Sequence, residues 1–281
     1  MEAASELLEN LRGIPGTAAP PADLVPAVNL LFETNAEVAT LDEIASFSVS
    51  RTPQQAARAL RERGWLFPLP VNGAWGVTTG FPAPHMGGFL SLRARLQVKS
   101  GTPACIGGRS TAEVRGWLRR PTSPAIGFPD EARLPRSLSE YSVLRWQPRI
   151  PLDTLHGLPV WKPETLLAYM GTRPGRFPWT DIAEWLWEAC EGVDPALIAA
   201  ELEGRPPGAW ARTAYLIHRG EQPDIAAAVV SLGPPLDNGP YYFGRGVPGL
   251  DDPMPWLPVW SPEFNVVDYA LERHWAYDWD L

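Results

Sequence analysis

The sequence predicts an α+β chain: an N-terminal winged helix-turn-helix, then a larger domain of mixed α and β structure. Three observations carry this. Residues 41–77 hold a short amphipathic helix, a second helix with both ends written in its sequence, and a hairpin signal. Beyond residue 89, short apolar strand segments interleave with helical ones and then give way to a run of helices. The 281 residues suit two domains, and 45% hydrophobic with 20% charged side chains is the make-up of a globular chain.

The helix at Arg51 to Gly64 organises the first domain. Thr52 is a good N-cap, Pro53 fits the first helical position, and Gln55 completes a Thr-x-x-Gln capping box. Gly64 supplies a left-handed stop. At about 100° per residue, Pro53, Ala56, Ala57, Ala59 and Leu60 share one side, and Gln54, Gln55, Arg58, Arg61 and Glu62 the other. Before it, Leu41, Ile44 and Ala45 make a short amphipathic helix. After it, Asn72-Gly73 reads as a type I′ hairpin turn.

A polar helical face of this kind offers forked donors for guanine, amides for adenine and charge for phosphates. Gln54, Arg58 and Arg61 are expected to face a DNA major groove, with Gln55 beside them. Arg51 and Thr52 should lie near phosphates, and Asn72 at the wing tip should reach backbone or minor groove. Two other readings compete: an ordinary α-α-β-β core with solvated arginines, and a winged helix that recognises protein. Arg51, Arg58, Arg61 and Arg63 stand against Glu62 alone in an otherwise acidic segment, which favours DNA.

The remaining elements follow in order. Residues 1–11 suit a short helix, and Gly13 to Ala22 a linker. Asp23 is placed to cap a supporting helix with Leu24, Val28, Leu31 and Phe32 on its stripe. Residues 81–88, rich in Pro and Gly, are expected to link domain 1–80 to domain 89–281. The second domain opens with a helix at Phe89 to Lys99 and a buried strand at Pro103 to Gly108. A helix capped by Ser110 or Thr111 should follow, with strands at 124–129, 141–147 and 158–161. Helices are expected around 163–170, 181–190, 195–204, 208–220 and 223–233, then mostly loop to 258. Two phrases echo each other: VWKPETLL at Val160 and VWSPEFNVV at Val259. Pro and Glu suit a helix start in the first; Asn265 and Val266-Val267 favour strand in the second.

Charge is uneven. Residues 1–80 carry net −4, residues 81–150 net +7, and residues 151–281 net −11. The acidic half should repel DNA and suit a basic partner, with Glu184, Glu188, Glu191, Glu201 and Glu203 expected at its surface. No apolar run approaches the ~20 residues of a membrane span, and the start is unlike a secretory signal, so a cytoplasmic chain is expected. Cys105 and Cys190 stand alone, which excludes a disulfide framework or zinc knuckle; Cys190 falls on an apolar helix side. His85, His156, His218 and His274 are scattered, and no phosphate-binding glycine motif or nucleophile elbow occurs. No catalytic residue, metal or cofactor is expected. The enzymatic alternative is a metal-dependent nuclease using Glu164 and Asp181 with Lys162 nearby, but a fuller carboxylate cluster is missing.

Several phrases together resemble one family. ALRERGWLFPLPVNGAWGV, CIGGRSTAEVRGWL, PETLLAYMGTRPGRFPW, GRPPGAWARTAYLIHRG and VWSPEFNVVDYAL, in this order over about residues 40–271, are similar to the AbiEi antitoxins of type IV toxin–antitoxin systems. The resemblance implies a winged helix that binds inverted repeats in the operon's own promoter. It also implies a C-terminal domain that counteracts a nucleotidyltransferase-like toxin. A winged-helix regulator without a toxin is the alternative.

Overall fold

The computed structural model describes residues 17–47, 50–78, 89–98, 101–118, 123–177, 182–243 and 259–268. The expected helix at 1–11, the linker at 81–88, and Asp181, His85 and His274 lie outside them. The chain is α+β and divides into two compact units: residues 1–103 with 135–140, and residues 104–134 with 141–281.

In the first unit, a 3-10 turn at Ala22–Leu24 leads into α1 (Val25–Glu33), followed by β1 (Val38–Thr40), α2 (Leu41–Phe47) and α3 (Pro53–Glu62). The hairpin β2 (Leu66–Pro68) and β3 (Ala74–Val77) comes next, with β3 central in the antiparallel order β1-β3-β2. Leu24, Val28, Leu31, Ile44, Ala56, Ala57, Leu60, Trp65 and Val77 make one buried cluster, so the alanine side of α3 faces inward as its spacing requires. The Trp65 indole N–H donates to the Ala18 carbonyl at 2.7 Å, anchoring the incoming chain.

Three local expectations are corrected here. Asp23 makes no capping bond; the 3-10 turn starts after Pro21 without a side-chain cap. The hairpin is not a type I′ turn, because Pro68 pairs with Trp75 and Gly73 alone has positive φ, +83°. The Ala74 N–H reaches the Val71 carbonyl at 3.4 Å, the pattern of a type II turn at the end of a longer loop. The boundary also moves. α4 (Leu90–Val98) packs Leu90 and Ala94 against Val38 and Ala74, so the first unit continues past Phe89 to Pro103. Apolar side chains at 90 and 94 needed a partner, and the outer side of the small sheet supplies it.

The second unit is built on a five-stranded sheet: β4 (Cys105–Ile106), β5 (Ala125–Phe128), β6 (Ser142–Arg145), β7 (Asp153–Leu155) and β8 (Leu158–Val160), in the order β6-β5-β4-β8-β7. Pairs β6–β5 and β4–β8 are parallel, and the other two are antiparallel. β7 was missing from the sequence reading. His156 and Gly157 both have positive φ, +50° and +71°, and close a two-residue hairpin to β8. Between β4 and β5 lies α5 (Arg109–Val114), which starts at Gly108 rather than after Ser110 or Thr111. The Ser110 hydroxyl instead accepts the Ala125 N–H at 2.8 Å.

Helices α6 (Pro163–Thr172), α7 (Leu186–Cys190), α8 (Pro195–Leu202), α9 (Pro207–Arg219) and α10 (Pro223–Leu232) follow. The helix expected from 181 to 190 is therefore short, although Ile182, Leu186, Ala189 and Cys190 are all buried. α6 and α9 approach closely at Gly171, where an added Cβ would lie 2.1 Å from the Thr213 hydroxyl. A small sheet, β10 (Val259–Ser261), β11 (Val266–Asp268) and β9 (Tyr241–Phe243) with β11 central, completes the unit. Its core is aromatic: Tyr169 lies 5.2 Å from Trp146, 5.1 Å from Trp161 and 5.8 Å from Phe177 between ring centres.

Candidate nucleic-acid interface

α3 is fixed at both ends. The Thr52 hydroxyl accepts the Gln55 N–H at 3.3 Å, and the Gln55 side-chain oxygen accepts the Thr52 N–H at 3.1 Å. At the other end, Trp65 N–H reaches the Leu60 carbonyl and Gly64 N–H the Arg61 carbonyl, both at 3.0 Å, with Gly64 at φ +78°. This is a Schellman motif, which commonly ends a helix on a left-handed glycine. A helix held this way presents its outer face with little freedom to fray.

Gln54, Arg58 and Arg61 are exposed on that face, as are Thr52 and Gln55. Arg58 and Arg61, one turn apart, stand as neighbours. Arg58 does not stand alone: its Nε donates to the Glu62 carboxylate at 2.8 Å, one turn on. That hydrogen bond, then the charges of Arg58, Arg61 and Arg63, hold the Glu62 carboxyl below its ordinary value. The pair occupies one edge of the Arg58 fork. Gln55 likewise has its oxygen committed to the cap and only its amide NH2 available.

Arg51 has a different place from the one expected. Its Nε and Nη2 donate to the two Asp23 oxygens at 2.6 and 3.0 Å, and Ser50 adds a bond to the same carboxylate at 2.9 Å. Hydrogen bonds from Arg51 first and Ser50 second hold Asp23 down to about 2. Arg51 therefore braces the approach to α3 against the 3-10 turn before α1. Sequence reading missed this because residues 23 and 51 meet only through the fold. The Arg58–Glu62 pair, at i,i+4 spacing, was open to discovery from sequence alone. Asn72 is exposed in the β2–β3 loop, apart from the α3 sequence.

The other candidate chemistry is committed elsewhere. Glu164 is buried and accepts the Asp194 backbone N–H at 3.1 Å, while Lys162 pairs with Asp153 at 2.9 Å. Glu164 and Lys162, two of the residues suggested for a nuclease, thus hold structure together. Among the described residues, no group of three His, Cys, Asp or Glu side chains could hold a metal. Burial pushes both thiols, Cys105 and Cys190, up to about 12. An open groove of about 460 Å³ runs beside Ala199, Glu203, Arg205, Trp210, Leu232 and Pro234, with one carboxylate and one guanidinium along apolar walls. No described helix is long and apolar enough to cross a membrane.

Among solved structures, the chain is similar to the crystal structure of the RV2827C protein from Mycobacterium tuberculosis, at 27% identity and a TM-score of 0.64. The likeness covers 94% of this chain and 97% of that one. No curated protein matches. Residues 104–219, running from β4 to the end of α9, match the family model of the AbiEi antitoxin C-terminal domain. Residues 104–219 thus carry an AbiEi antitoxin C-terminal domain.

Proposed function

We propose that the first unit is a winged helix-turn-helix that binds repeats in its operon's own promoter and represses it. The second unit counteracts a nucleotidyltransferase-like toxin. The carrying observation is the outward face of α3: Gln54, Arg58 and Arg61 stand exposed on a helix capped at both ends and packed by its alanines. Such a face can place forked donors and an amide against base edges while its N-terminus meets a phosphate. The β2–β3 hairpin with Asn72 would be the wing. Arg51, spent on Asp23, acts as a brace in this reading and leaves phosphate contact to the N-terminal backbone and Thr52.

The second half of the proposal rests on the family and on charge. Glu184, Glu191 and Glu203 are exposed, and Trp187 stands 54% exposed near the first two, a pairing that suits a basic protein surface. We read the chain as non-enzymatic, with no cofactor.

Gel-shift titration against the upstream duplex tests the DNA half. Replacing Arg58 and Arg61 together by Ala should weaken binding about a hundredfold, with a shallower dependence on salt. The same double variant, co-expressed with the neighbouring toxin, should still restore growth. Unchanged DNA affinity would remove α3 from the reading role, and loss of rescue would sink the division of labour.

A further inference from the structure

The second unit, acidic overall, gathers four arginines around one aromatic pair. The Arg205 guanidinium lies 3.9 Å from the centre of the Trp146 ring, and its Nε is buried with no acceptor among the described residues. Trp146 meets Tyr169 edge-on. Arg173 follows Tyr169 by one turn, its N–H on the Tyr169 carbonyl at 2.8 Å, and the Arg176 N–H reaches the Arg173 carbonyl at 3.1 Å. Arg149 arrives from a third segment: its backbone N–H and the Trp146 indole N–H share the Glu201 carboxylate, each at 3.0 Å.

Among the described residues, none of these four guanidinium groups makes an ion pair. Elsewhere Arg58, Arg93, Arg95 and Arg115 each have a carboxylate partner. Three acids are close to the cluster, and exposed Glu203 lines one groove with Arg205 without an ion pair to it. Glu201 is fully buried and occupied by its own donors, and exposed Asp130 is felt at Arg205 without touching it. Burial first, and then Arg149, push the Arg205 guanidinium below its ordinary value against the pull of Glu201, and Arg173 adds to the push. A helix C-terminus favours cations, which accounts for Arg173 at the end of α6. Arg205 likewise follows the end of α8, but Arg149 lies outside any helix and has no such reason to be there.

We propose that Arg149, Arg173, Arg176 and Arg205 form a phosphate-binding site in the second unit, independent of α3. Guanidinium forks match phosphate oxygens in pairs, and a polyanion relieves the repulsion among clustered like charges. Trp146 and Tyr169 are each 2% exposed, so no ring is open for a base to stack upon. The site therefore grips phosphate rather than base. A nucleic-acid strand and a free nucleoside triphosphate share that chemistry.

The test uses the full chain carrying Arg58→Ala and Arg61→Ala, so that α3 contributes little. Affinity is measured by fluorescence anisotropy for a mixed-sequence single-stranded RNA of about 20 nucleotides, and by calorimetry for ATP. Adding Arg149→Ala, Arg173→Ala and Arg176→Ala should weaken at least one ligand tenfold or more. If the strand is the ligand, its salt slope should fall by about 2, from roughly 0.7 per phosphate contact. If ATP is the ligand, its binding falls while the strand is unaffected. The triple Lys variant should regain part of the affinity, and Arg149→Glu alone should reproduce the loss should the triple Ala variant unfold. Equal affinity for both ligands with and without the arginines would overturn the proposal, as would failure of the starting protein to bind either.

Discussion

The outer face of α3 and the contact region of α6, α8 and α9 use polar side chains in opposite ways. On α3, Gln54, Arg58 and Arg61 point to solvent, and the bonds made there are local: a capping box and one i,i+4 pair. In the second unit, Glu201 is fully buried, and its carboxylate accepts from Trp146, the Arg149 and Ile150 backbones and Thr165, at 3.0 to 3.3 Å. Asp268, also buried, accepts the Tyr215 hydroxyl at 2.9 Å. Polar side chains thus serve as a display in one place and as joinery in the other. What separates them is whether the fold supplies enough donors to replace water.

The largest effect should come from Glu201. Glu201→Ala strands several buried donors and should cost about 3 kcal/mol or more in urea unfolding. Exposed Glu191→Ala should stay within about 0.5 kcal/mol. Similar values for the two would erase the contrast between buried and displayed acids.

Next is the α6–α9 crossing. At an ordinary helical site, Gly→Ala stabilises by up to about 1 kcal/mol through propensity. At Gly171 the new Cβ would lie 2.1 Å from the Thr213 hydroxyl and 2.8 Å from its backbone nitrogen. Backbone cannot swing aside as a side chain can, so overpacking should win, with a net loss of about 1–3 kcal/mol. A rise in melting temperature for Gly171→Ala would show that the two helices can separate freely.

On the displayed side, changes should move binding more than stability. Glu62→Ala frees the Arg58 fork and removes a negative charge, so affinity for the promoter duplex should rise a few-fold while the melting temperature barely moves. Weaker binding would mean that Glu62 orients Arg58 for reading.

The smallest effect is electrostatic. Asp23 has a folded value near 2 against the usual 3.8, so its stabilising share is complete above about pH 4. That share is lost as pH falls through about 2. Carbon-detected NMR titration should find the low midpoint, and Arg51→Ala should return it toward 3.8. A normal midpoint in the unaltered protein would release Arg51 from its bracing role.

How much of this was legible depended on how local each feature is. The caps of α3 rest on Thr52, Gln55 and Gly64 within one short segment, and sequence periodicity alone put its alanines inside. Ser110 looked like a cap but faces the Ala125 N–H on another strand, a contact that no local pattern announces. Glu201 looked exposed because Glu203 follows two residues on; only its approach to Trp146, Arg149, Ile150 and Thr165 provides the donors that make burial tolerable. The arginine cluster was hidden because three of its members lie in a segment of net −11 and Arg149 in one of net +7, and net charge says nothing of who neighbours whom.

The paired phrases beginning at Val160 and Val259 show where the division falls. Both read Val-Trp-x-Pro-Glu. In the first, Pro163 opens α6, and Leu166 and Leu167 have a core to fill. In the second, Asn265 takes φ +52° and turns the chain back, so that Val266 to Asp268 pair with both β10 and β9. Sequence by itself determined the helix start, through the fixed φ of proline, whereas Asn265, expected in a strand, makes the reversal through asparagine's tolerance of left-handed backbone. Tertiary structure decided which side chains are buried and which charges find partners. Those outcomes depend on donors and apolar surfaces brought together from distant parts of the chain.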